Sequence, residues 1–409
     1  MKILFHTQYC PPEVGAPQNR IFEFAKQLKK FGHEVTILTA MPNYPKGEIF
    51  EEYRGKKTMV EELEGIKIAR TSIYATKEKA FTKRLRNYLS FTFSSLRHGK
   101  KLVGPQDVVI TESPPLFLGW AGYRLSKKLG AKYVFNVSDL WPESAIKLGV
   151  LNNKLFIKAS FKLEMWCYKK AHAVTGQTKG IVDNIVARGI PKEKVHLITN
   201  GVDTDFFSRS NRDENYRGEL GIDNKFSVCY AGIHGIAQGL EVIIQSAEIL
   251  KEHTGIQFIF FGDGPEKSSL IKLVEDKKLT NVKFMPVQPK SIMPKIIASV
   301  DCSLIPLRKL DLFKGALPSK MFEALSSELP IIMAVEGEAA DLITNSGGGI
   351  NVEPENAQSI ANAVLKLSRN KDLCEQLGKN GRKYVMENYS RDTITRRLEK
   401  ILMEIAKNK

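Results

Sequence analysis

The sequence has few cysteines and no long apolar run. Its five cysteines are scattered at positions 10, 167, 229, 302 and 374 and never occur in C-x-x-C spacing, which argues against a disulfide framework and a zinc site. No window approaches the roughly 20 apolar residues of a spanning helix, and the first residues, MKILFHTQYCPPE, lack the pattern of a signal peptide. We therefore expect a cytosolic protein with reduced thiols.

A nicotinamide-binding fingerprint is also missing. The loop after the first predicted strand reads QYCPPEVGAPQNR, with Gly15 and Ala16 just before a helix, and no acidic residue ends the second strand, EVTILTA. These absences weaken the interpretation as a dehydrogenase. A loop of small residues still lets backbone N–H groups approach a phosphate or a sugar.

Positive charge is concentrated in one half of the chain. Residues 1–195 contain 33 Lys and Arg against 17 Asp and Glu, whereas the remaining residues contain 28 of each. Such an asymmetry indicates a polyanionic partner for the first half, whether a membrane surface, a nucleic acid or a phosphorylated substrate.

Strand and helix patterns alternate along both halves. The predicted strands are 2–7, 34–39, 107–111, 132–137, 171–176 and 195–199, then 226–232, 256–262, 281–285, 301–307 and 329–335. Continuous apolar strands separated by helices indicate parallel sheets covered on both faces. With 409 residues, we predict an α/β protein of two doubly wound domains, 1–195 and 196–389, facing each other across a cleft, with a last helix, 390–409, packing back on the first.

The segment LFKGALPSKMFEALSSELPIIMAV, 312–335, predicts a loop, a helix and a buried strand. Pro318 cannot continue a helix from upstream, and Ser319 is a good N-cap for a helix over 319–328. Ser319, Lys320 and Glu323 then share one face, which can bind an anion at the helix start and hydroxyl groups one turn deeper. An ordinary surface turn has the same pattern.

Glycines follow one strand of the second half. FGDGPEKSSL places Gly262 and Gly264 after a strand and Pro265 at the start of a helix. A tight turn and a ligand-binding loop are both compatible with this spacing.

Taken in order, several segments resemble the family 4 glycosyltransferases, a large retaining group with the GT-B fold. They are the Pro-rich loop with Gly15, GHEVTILT, NGVDTDFF, YAGIHGIAQGLE, FGDGP and LPSKMFEALSSELPIIM. DLWPES, AQGLE and LPSK look like the branch that builds bacterial O-antigen and capsule sugars, which includes N-acetylfucosamine transferases. The resemblance implies a sugar-transfer enzyme with two facing Rossmann-like domains.

In that family the segment at Glu323 is an E-x7-E motif. The resemblance implies that Glu323 accepts hydrogen bonds from the ribose hydroxyls of a nucleotide-sugar, while the helix start and Lys320 face the diphosphate without a metal or a cofactor. The residues expected at the donor are Gly15, Ala16, His234, Gln238, Gly262, Gly264, Pro318, Ser319, Lys320 and Glu323.

The chain departs from the family pattern at three positions. The first Glu of the motif falls at Gly315, and the usual Arg and Lys after the first strand of the second domain fall at Ile233 and Gln238. Lys320, with Arg308, Lys309 or Lys314 on the preceding loop, must therefore supply the positive charge at a donor diphosphate. His234 could touch the donor, or could be incidental.

VSDLWPES follows a strand of the first domain. Related enzymes carry a His or Asp here that faces the reacting centre, and Asp139 matches it. Asp139 could orient or deprotonate the acceptor hydroxyl, or could cap the next segment. Trp141 is either a core residue or a platform for the acceptor.

Residues 77–103 contain eight Lys and Arg opposed only by Glu78. On a helix, an apolar stripe forms from Phe81, Leu85, Tyr88, Leu89, Thr92 and Leu96. This pattern matches an amphipathic helix at the inner face of the cell membrane, where polyprenyl-linked glycan acceptors of the family reside. An ordinary helix with a solvated basic face is the alternative.

We therefore expect a retaining transferase that moves a sugar, UDP-linked and possibly an N-acetylated deoxyhexosamine, to a polyprenyl-diphosphate-linked saccharide. Two alternatives are a UDP-sugar 2-epimerase with the same fold and a non-enzymatic nucleic-acid-binding protein. Only seven histidines are present, which weakens the first alternative. The second lacks any recognition module, so we expect no nucleic-acid partner.

Overall fold

The computed structural model describes residues 1–13, 16–78, 80–147 and 151–407. The chain divides into two compact units, one of Met1–Thr199 with Ile394–Lys409 and one of Asn200–Thr393. The expected boundary lay between residues 195 and 196, four residues earlier. Gly15, one of the expected donor-binding residues, lies outside the described residues.

The first unit contains one eight-stranded sheet in the order β3-β4-β2-β1-β5-β6-β7-β8. Its strands are β1 (Lys2–His6), β2 (Glu34–Ala40), β3 (Thr58–Leu63), β4 (Ile66–Thr71), β5 (Val108–Ser113), β6 (Lys132–Val137), β7 (Ala173–Gly176) and β8 (Val195–Leu197). All pairings are parallel except β3 with β4. The predicted parallel sheet is therefore confirmed, and the antiparallel β3–β4 hairpin at its edge was missed.

Helices join these strands. They are α1 (Ala16–Lys30), α2 (Phe81–Val103), α3 (Phe117–Leu129), α4 (Glu143–Lys147), α5 (Lys154–Lys170) and α6 (Lys179–Ala187). The long helix α2 packs on α3 and on the sheet.

The second unit contains a six-stranded sheet in the order β11-β10-β9-β12-β13-β14, and all of its pairings are parallel. The strands are β9 (Phe226–Ala231), β10 (Ile256–Phe261), β11 (Val282–Met285), β12 (Cys302–Pro306), β13 (Ile331–Ala334) and β14 (Gly349–Asn351). Alternate residues of each strand point to opposite faces, so Val228 joins one apolar cluster and Cys229 the other. Both faces of the sheet are therefore buried under helices.

The helices of the second unit are α7 (Glu214–Leu220), α8 (Glu241–Ile249), α9 (Lys267–Asp276), α10 (Met293–Ser299), α11 (Ser319–Ser326), α12 (Glu338–Ser346), α13 (Ala357–Ser368) and α14 (Lys371–Tyr389). The last helix, α15 (Arg391–Lys407), belongs to the first unit from Ile394 onward. Among the described residues, no helix is both long enough and apolar enough to cross a membrane.

The strand orders locate the ligand-binding edges. In the first sheet the chain starts at β1 and winds outward on both sides, so β1 and β5 flank the point where the winding direction changes. In the second sheet β9 and β12 flank the corresponding point. In open α/β sheets ligands bind outside the carboxyl ends of such strands.

Candidate active site

Helix α11 starts one loop after β12, and its start differs from the prediction. The N-cap is Pro318, with an extended backbone at φ −59° and ψ 124°, and no side chain caps the first turn. Ser319 is therefore the first helical residue, so its assignment as the N-cap was wrong. The helix ends at Ser326 instead of 328, because Glu328 has a left-handed backbone at φ 56°. Among the described residues, the first turn has no side-chain cap, and the Met321 N–H donates to the Pro318 carbonyl at 3.0 Å.

Lys320 reaches from the first turn of α11 to the end of β9. Its Nζ lies 4.0 Å from the centre of the Tyr230 ring. A Cβ on Gly232 would stand 2.6 Å from this Nζ, and the φ of 148° at Gly232 is strained for any residue with a side chain. Burial lowers the pKa of the Lys320 ammonium to about 8, against the raising effect of the Glu323 carboxylate. Within the part of the chain that the structure describes, Lys320 makes no ion pair within 4 Å.

Glu323 lies on the same face of α11, three residues later. Its side chain is partly buried, and burial raises the pKa of the carboxyl group to about 7, while the charges of Lys320, Lys290 and Arg391 lower it. An ammonium and a carboxyl group, both with pKa values near neutrality, therefore stand together at a helix start. Such perturbed pairs are typical of functional sites.

The glycines after β9 and β10 allow two loops to touch. A Cβ on Gly262 would stand 2.0 Å from the carbonyl oxygen of Gly232, and one on Gly264 would stand 2.4 Å from that of His234. Both glycines have φ values in the positive range. The tight-turn interpretation of FGDGP thus has a physical basis, and the close packing brings the two loops to the same edge as Lys320.

His234 fills the space between these loops. Its side chain has no exposed surface, and its ring centre lies 5.8 Å from that of Tyr230 and 6.0 Å from that of Phe284. The backbone N–H of His234 donates to the Asp263 carbonyl at 2.8 Å. The aromatic surroundings bury the imidazole, and burial lowers its pKa. A contact between this side chain and a donor stays a prediction.

Ile233 and Gln238 occupy the two positions where the family usually has an Arg and a Lys. Ile233 is 69% exposed, and Gln238 ends a short turn, with its Oε1 lying 2.8 Å from the position of a Cβ on Gly235. Neither residue brings a positive charge to this edge.

The other cations of the loop are engaged elsewhere. Arg308 pairs with Glu241 at 2.5 Å and Glu355 at 3.2 Å, while Lys309 pairs with Glu353 at 3.0 Å. Lys314 pairs with Asp311 at 2.7 Å. Arg308, Lys309 and Lys314 are thus held by acidic partners in the free protein, and their role as substitutes for the missing cations stays a prediction.

Gly315 lies beside the start of α12. The loop is fixed there, because the Glu338 N–H donates to the Lys314 carbonyl at 2.8 Å. A Cβ on Gly315 would lie 3.9 Å from Oε1 of Glu338. A carboxylate from a different helix thus lies near the position of the missing motif Glu.

In the first unit, Asp139 follows β6 and is exposed. Its Oδ2 accepts a hydrogen bond of 2.8 Å from the hydroxyl of Ser144, in the first turn of α4. Both expected roles, acceptor contact and local capping, are compatible with this position. Trp141 packs against Phe117 at 5.8 Å and Phe156 at 6.3 Å between ring centres, so it belongs at least in part to the core.

The loop after β1 is held by a buried carboxylate. Glu13 accepts hydrogen bonds from the N–H groups of Asn43 and Tyr44, both at 2.8 Å, and from that of Cys10 at 3.1 Å. Burial raises the pKa of Glu13, against these three hydrogen bonds. Ala16 begins α1 just beyond this loop.

Two buried charged residues escaped the sequence analysis. Arg20 on α1 and Glu112 on β5 form an ion pair of 2.7 Å at the carboxyl edge of the first sheet. The only signal in the sequence is an acidic residue directly after the apolar run DVVIT. Its partner lies 92 residues away, which no local pattern predicts.

The basic stretch 77–103 forms helix α2, and its buried face differs from the predicted stripe. The buried residues are Asn87, Phe91, Thr92, Ser95, Gly99 and Val103. A Cβ on Gly99 would stand 2.8 Å from a Leu38 methyl group, so the small residues bring α2 close to the sheet. Of the predicted stripe, Thr92 is buried and Leu96 packs against the core, whereas the other members are partly exposed. Helix α2 packs on the domain with a basic outer face.

Family models match both units. Residues 18–206 match the Glycosyltransferase Family 4 model, and residues 212–384 match the model of Glycosyl transferases group 1. The chain carries two glycosyltransferase domains. It is 27% identical over 376 residues to the putative colanic acid biosynthesis glycosyl transferase WcaI of Escherichia coli K12, covering 89% of this chain and 91% of that protein.

Solved structures of other proteins superpose on this chain and show its fold. Sucrose-phosphate synthase from Thermosynechococcus elongatus superposes with a TM-score of 0.76 at 16% identity over 100% of both chains. Anabaena HepE in complex with UDP and glucose superposes with a TM-score of 0.72 at 16% identity, and the match covers 98% of this chain and 99% of that one. The two glycosyltransferase domains have the GT-B fold.

Proposed function

We propose that this glycosyltransferase moves a sugar from a UDP-linked donor to a polyprenyl-diphosphate-linked saccharide in bacterial surface polysaccharide synthesis, with retention of anomeric configuration. The observation that carries the proposal is the pair of Lys320 and Glu323 at the uncapped start of α11. Two relatives support it: WcaI is a putative colanic acid biosynthesis glycosyl transferase, and the structure of HepE contains UDP and glucose.

The donor binds at α11 in this proposal. The two carboxylate oxygens of Glu323 accept hydrogen bonds from the vicinal ribose hydroxyls. The Lys320 ammonium and the helix start face the diphosphate, where they stabilise the charge that develops on the leaving group without a metal ion. A diphosphate raises the pKa of Lys320 and keeps it protonated.

The transfer breaks the bond between the anomeric carbon and the diphosphate oxygen, and the electron pair leaves with UDP. The acceptor oxygen bonds to the same carbon from the face of the departing diphosphate. The acceptor hydroxyl donates its hydrogen bond to the Asp139 carboxylate, which orients the hydroxyl and accepts its proton as the new bond forms.

Glu338 takes over from the missing motif Glu in this proposal. Its Oε1 lies 3.9 Å from the Cβ position of Gly315, so a carboxylate from α12 can accept a hydrogen bond from a hydroxyl of the donor sugar. Substitution Glu338→Ala is then expected to raise the donor KM.

A membrane surface holds the acceptor in this proposal. Two basic surfaces of the first unit support it, the outer face of α2 and that of α5. The α5 face combines partly exposed apolar side chains with lysines at helical spacing: Lys154, Ile157, Lys158, Phe161, Lys162, Met165, Trp166 and Lys169. Leu155, at the start of this helix, is 81% exposed. An apolar face rimmed by lysines is typical of a helix at an anionic bilayer.

A panel of nucleotide-sugars tests the donor assignment by thermal stabilisation of the full chain. A ligand present at 100 times its Kd stabilises the folded state by about 2.7 kcal/mol, a shift of roughly 5–10 °C for a unit of this size. We expect UDP-sugars to raise the melting temperature of the unmodified protein by this amount. The Glu323→Ala variant should show no such rise. Stabilisation by GDP- or ADP-sugars alone, or by none, would contradict the assignment.

A further inference from the structure

A buried charged network lies at the carboxyl edge of the first sheet, next to the point where its winding reverses. Arg20 on α1 is 8% exposed and Glu112 near the end of β5 is 3% exposed. Nη2 of Arg20 donates to Oε1 of Glu112 at 2.7 Å. The proposed transfer assigns no role to either residue.

The network continues to the residue that precedes Asp139. Nη2 of Arg20 also donates to the hydroxyl of Ser138 at 2.5 Å, and that hydroxyl donates to Oε1 of Glu112. The Ser138 N–H donates to the Ser113 carbonyl at 2.9 Å. Ser138 is therefore held by both its side chain and its backbone.

The other oxygen of Glu112 ties in two further strands. Its Oε2 accepts a hydrogen bond from Nδ2 of Asn136 on β6, and Oδ1 of Asn136 accepts one of 2.6 Å from the Thr175 hydroxyl on β7. Arg20, Glu112, Asn136 and Thr175 are all more than nine-tenths buried. The chain of hydrogen bonds thus spans β5, β6 and β7 beneath Asp139.

One atom of this network carries a cost. Nη1 of Arg20 is buried and has no hydrogen-bond partner among the residues that the structure describes. A buried N–H without an acceptor destabilises a fold. Groups that are kept at such a cost cluster where function needs a fixed geometry.

We propose that Arg20 and Glu112 are positioning residues for Asp139. They fix Ser138, and the next peptide then presents the Asp139 carboxylate in one orientation, which the Ser144 hydroxyl supports from the other side at 2.8 Å. The inference rests on the proposed role of Asp139 in orienting the acceptor hydroxyl. It assigns the network to the rate of transfer and not to donor binding.

Hydrogen exchange of the full chain, with no ligand added, tests the structural part. In Glu112→Gln, one hydrogen-bond acceptor becomes a donor facing other donors, so the N–H groups of residues 138–140 should exchange at least tenfold faster. The amides of α11 should be unchanged. Glu34→Gln, which removes a surface pair with Lys2, is the matched control. Unchanged exchange at 138–140 overturns the inference.

Steady-state kinetics test the functional part, with the donor that the stabilisation panel identifies and farnesyl-diphosphate-linked N-acetylglucosamine as acceptor. We expect Glu112→Gln to lower kcat at least tenfold and to leave the donor KM within twofold. Arg20→Lys should retain more activity than Arg20→Gln. If Glu112→Gln does not fold, Thr175→Val interrupts the same chain of hydrogen bonds more mildly and should lower kcat severalfold.

A double-mutant cycle separates positioning from general structural damage. In the Asp139→Asn background, Glu112→Gln should change kcat less than twofold, because the group that it positions is already lost. A second tenfold loss in that background overturns the inference. If Asp139→Asn itself turns over like the unmodified enzyme, the proposed role of Asp139 fails as well; if Asp139→Asn is inactive and Glu112→Gln is normal, only the inference fails.

Discussion

At the scale of single residues, the proposed donor site depends on two side chains of α11, Lys320 and Glu323. Both side chains are partly buried, and burial lowers the pKa of Lys320 to about 8 and raises that of Glu323 to about 7. Groups with such shifted pKa values cluster at functional sites, which supports the binding role proposed above.

Substitution Glu323→Gln should abolish detectable transfer and stabilise the protein. The pKa of Glu323 is raised from its ordinary value to about 7, so the folded state binds its proton more tightly and stability falls as pH rises from about 4.5 to 7. The variant should therefore have a Tm about 2–4 °C higher at pH 8, measured by calorimetry beside the transfer rate. Glu375→Gln on α14 is the control. Near-normal turnover would remove Glu323 from the site.

Binding of UDP should weaken as pH rises above 8. Only the protonated ammonium of Lys320 attracts the diphosphate, and burial lowers its pKa to about 8 in the free protein. A charge-assisted hydrogen bond contributes about 1.5–3 kcal/mol, so Lys320→Ala should raise the Kd for UDP about 10- to 100-fold and flatten the pH dependence. Titration calorimetry between pH 6.5 and 9.5 measures both. An unchanged Kd in the variant would refute the role of Lys320.

At the scale of elements, the loops after β9 and β10 define the shape of the sheet edge where we propose that the donor binds. Gly232, Gly262 and Gly264 bring backbone and ring atoms into contact around His234. The sequence showed that glycines lay there. It did not show that they allow contact between two loops, because the neighbouring loop is about 30 residues away along the chain.

Substitution Gly262→Ala should destabilise the second unit and weaken UDP binding. The new Cβ would stand 2.0 Å from the Gly232 carbonyl oxygen, and the φ of 134° disfavours any side chain. Such strain costs roughly 1–3 kcal/mol, so the Tm should fall by several degrees. Gly255→Ala, where nothing lies within 4 Å of the Cβ, should be neutral. Equal Tm values for both variants would contradict the account.

Neutralising either basic helix face tests the membrane proposal. Each basic residue near an anionic surface contributes about 1 kcal/mol, so changing Lys154, Lys158, Lys162 and Lys169 to Gln should release the protein from anionic liposomes in flotation. The same change at Lys83, Arg84, Arg86 and Arg97 is the matched test of α2. Flotation of both variants would refute a role for these surfaces.

At the scale of the whole molecule, the fold class could be predicted because apolar runs of strand length alternate with helices along both halves. The edge strands β3 and β4 escaped this reasoning, since TMVEEL and IKIART mix charged and apolar residues. The N-cap of α11 was predicted one residue too late, at Ser319 instead of Pro318. The general preference for Ser at the N-cap led to this error, because it took no account of the extended backbone of Pro318. The Arg20–Glu112 network could not be predicted, because it joins residues of different elements that only the folded sheet brings together.

The most direct test of the central claim is a crystal structure of the full chain with UDP. We expect the ribose hydroxyls to lie within hydrogen-bond distance of the Glu323 carboxylate, and the diphosphate to lie beside Lys320 and the first turn of α11. UDP bound away from α11, with Glu323 and Lys320 contacting only protein atoms, would contradict it.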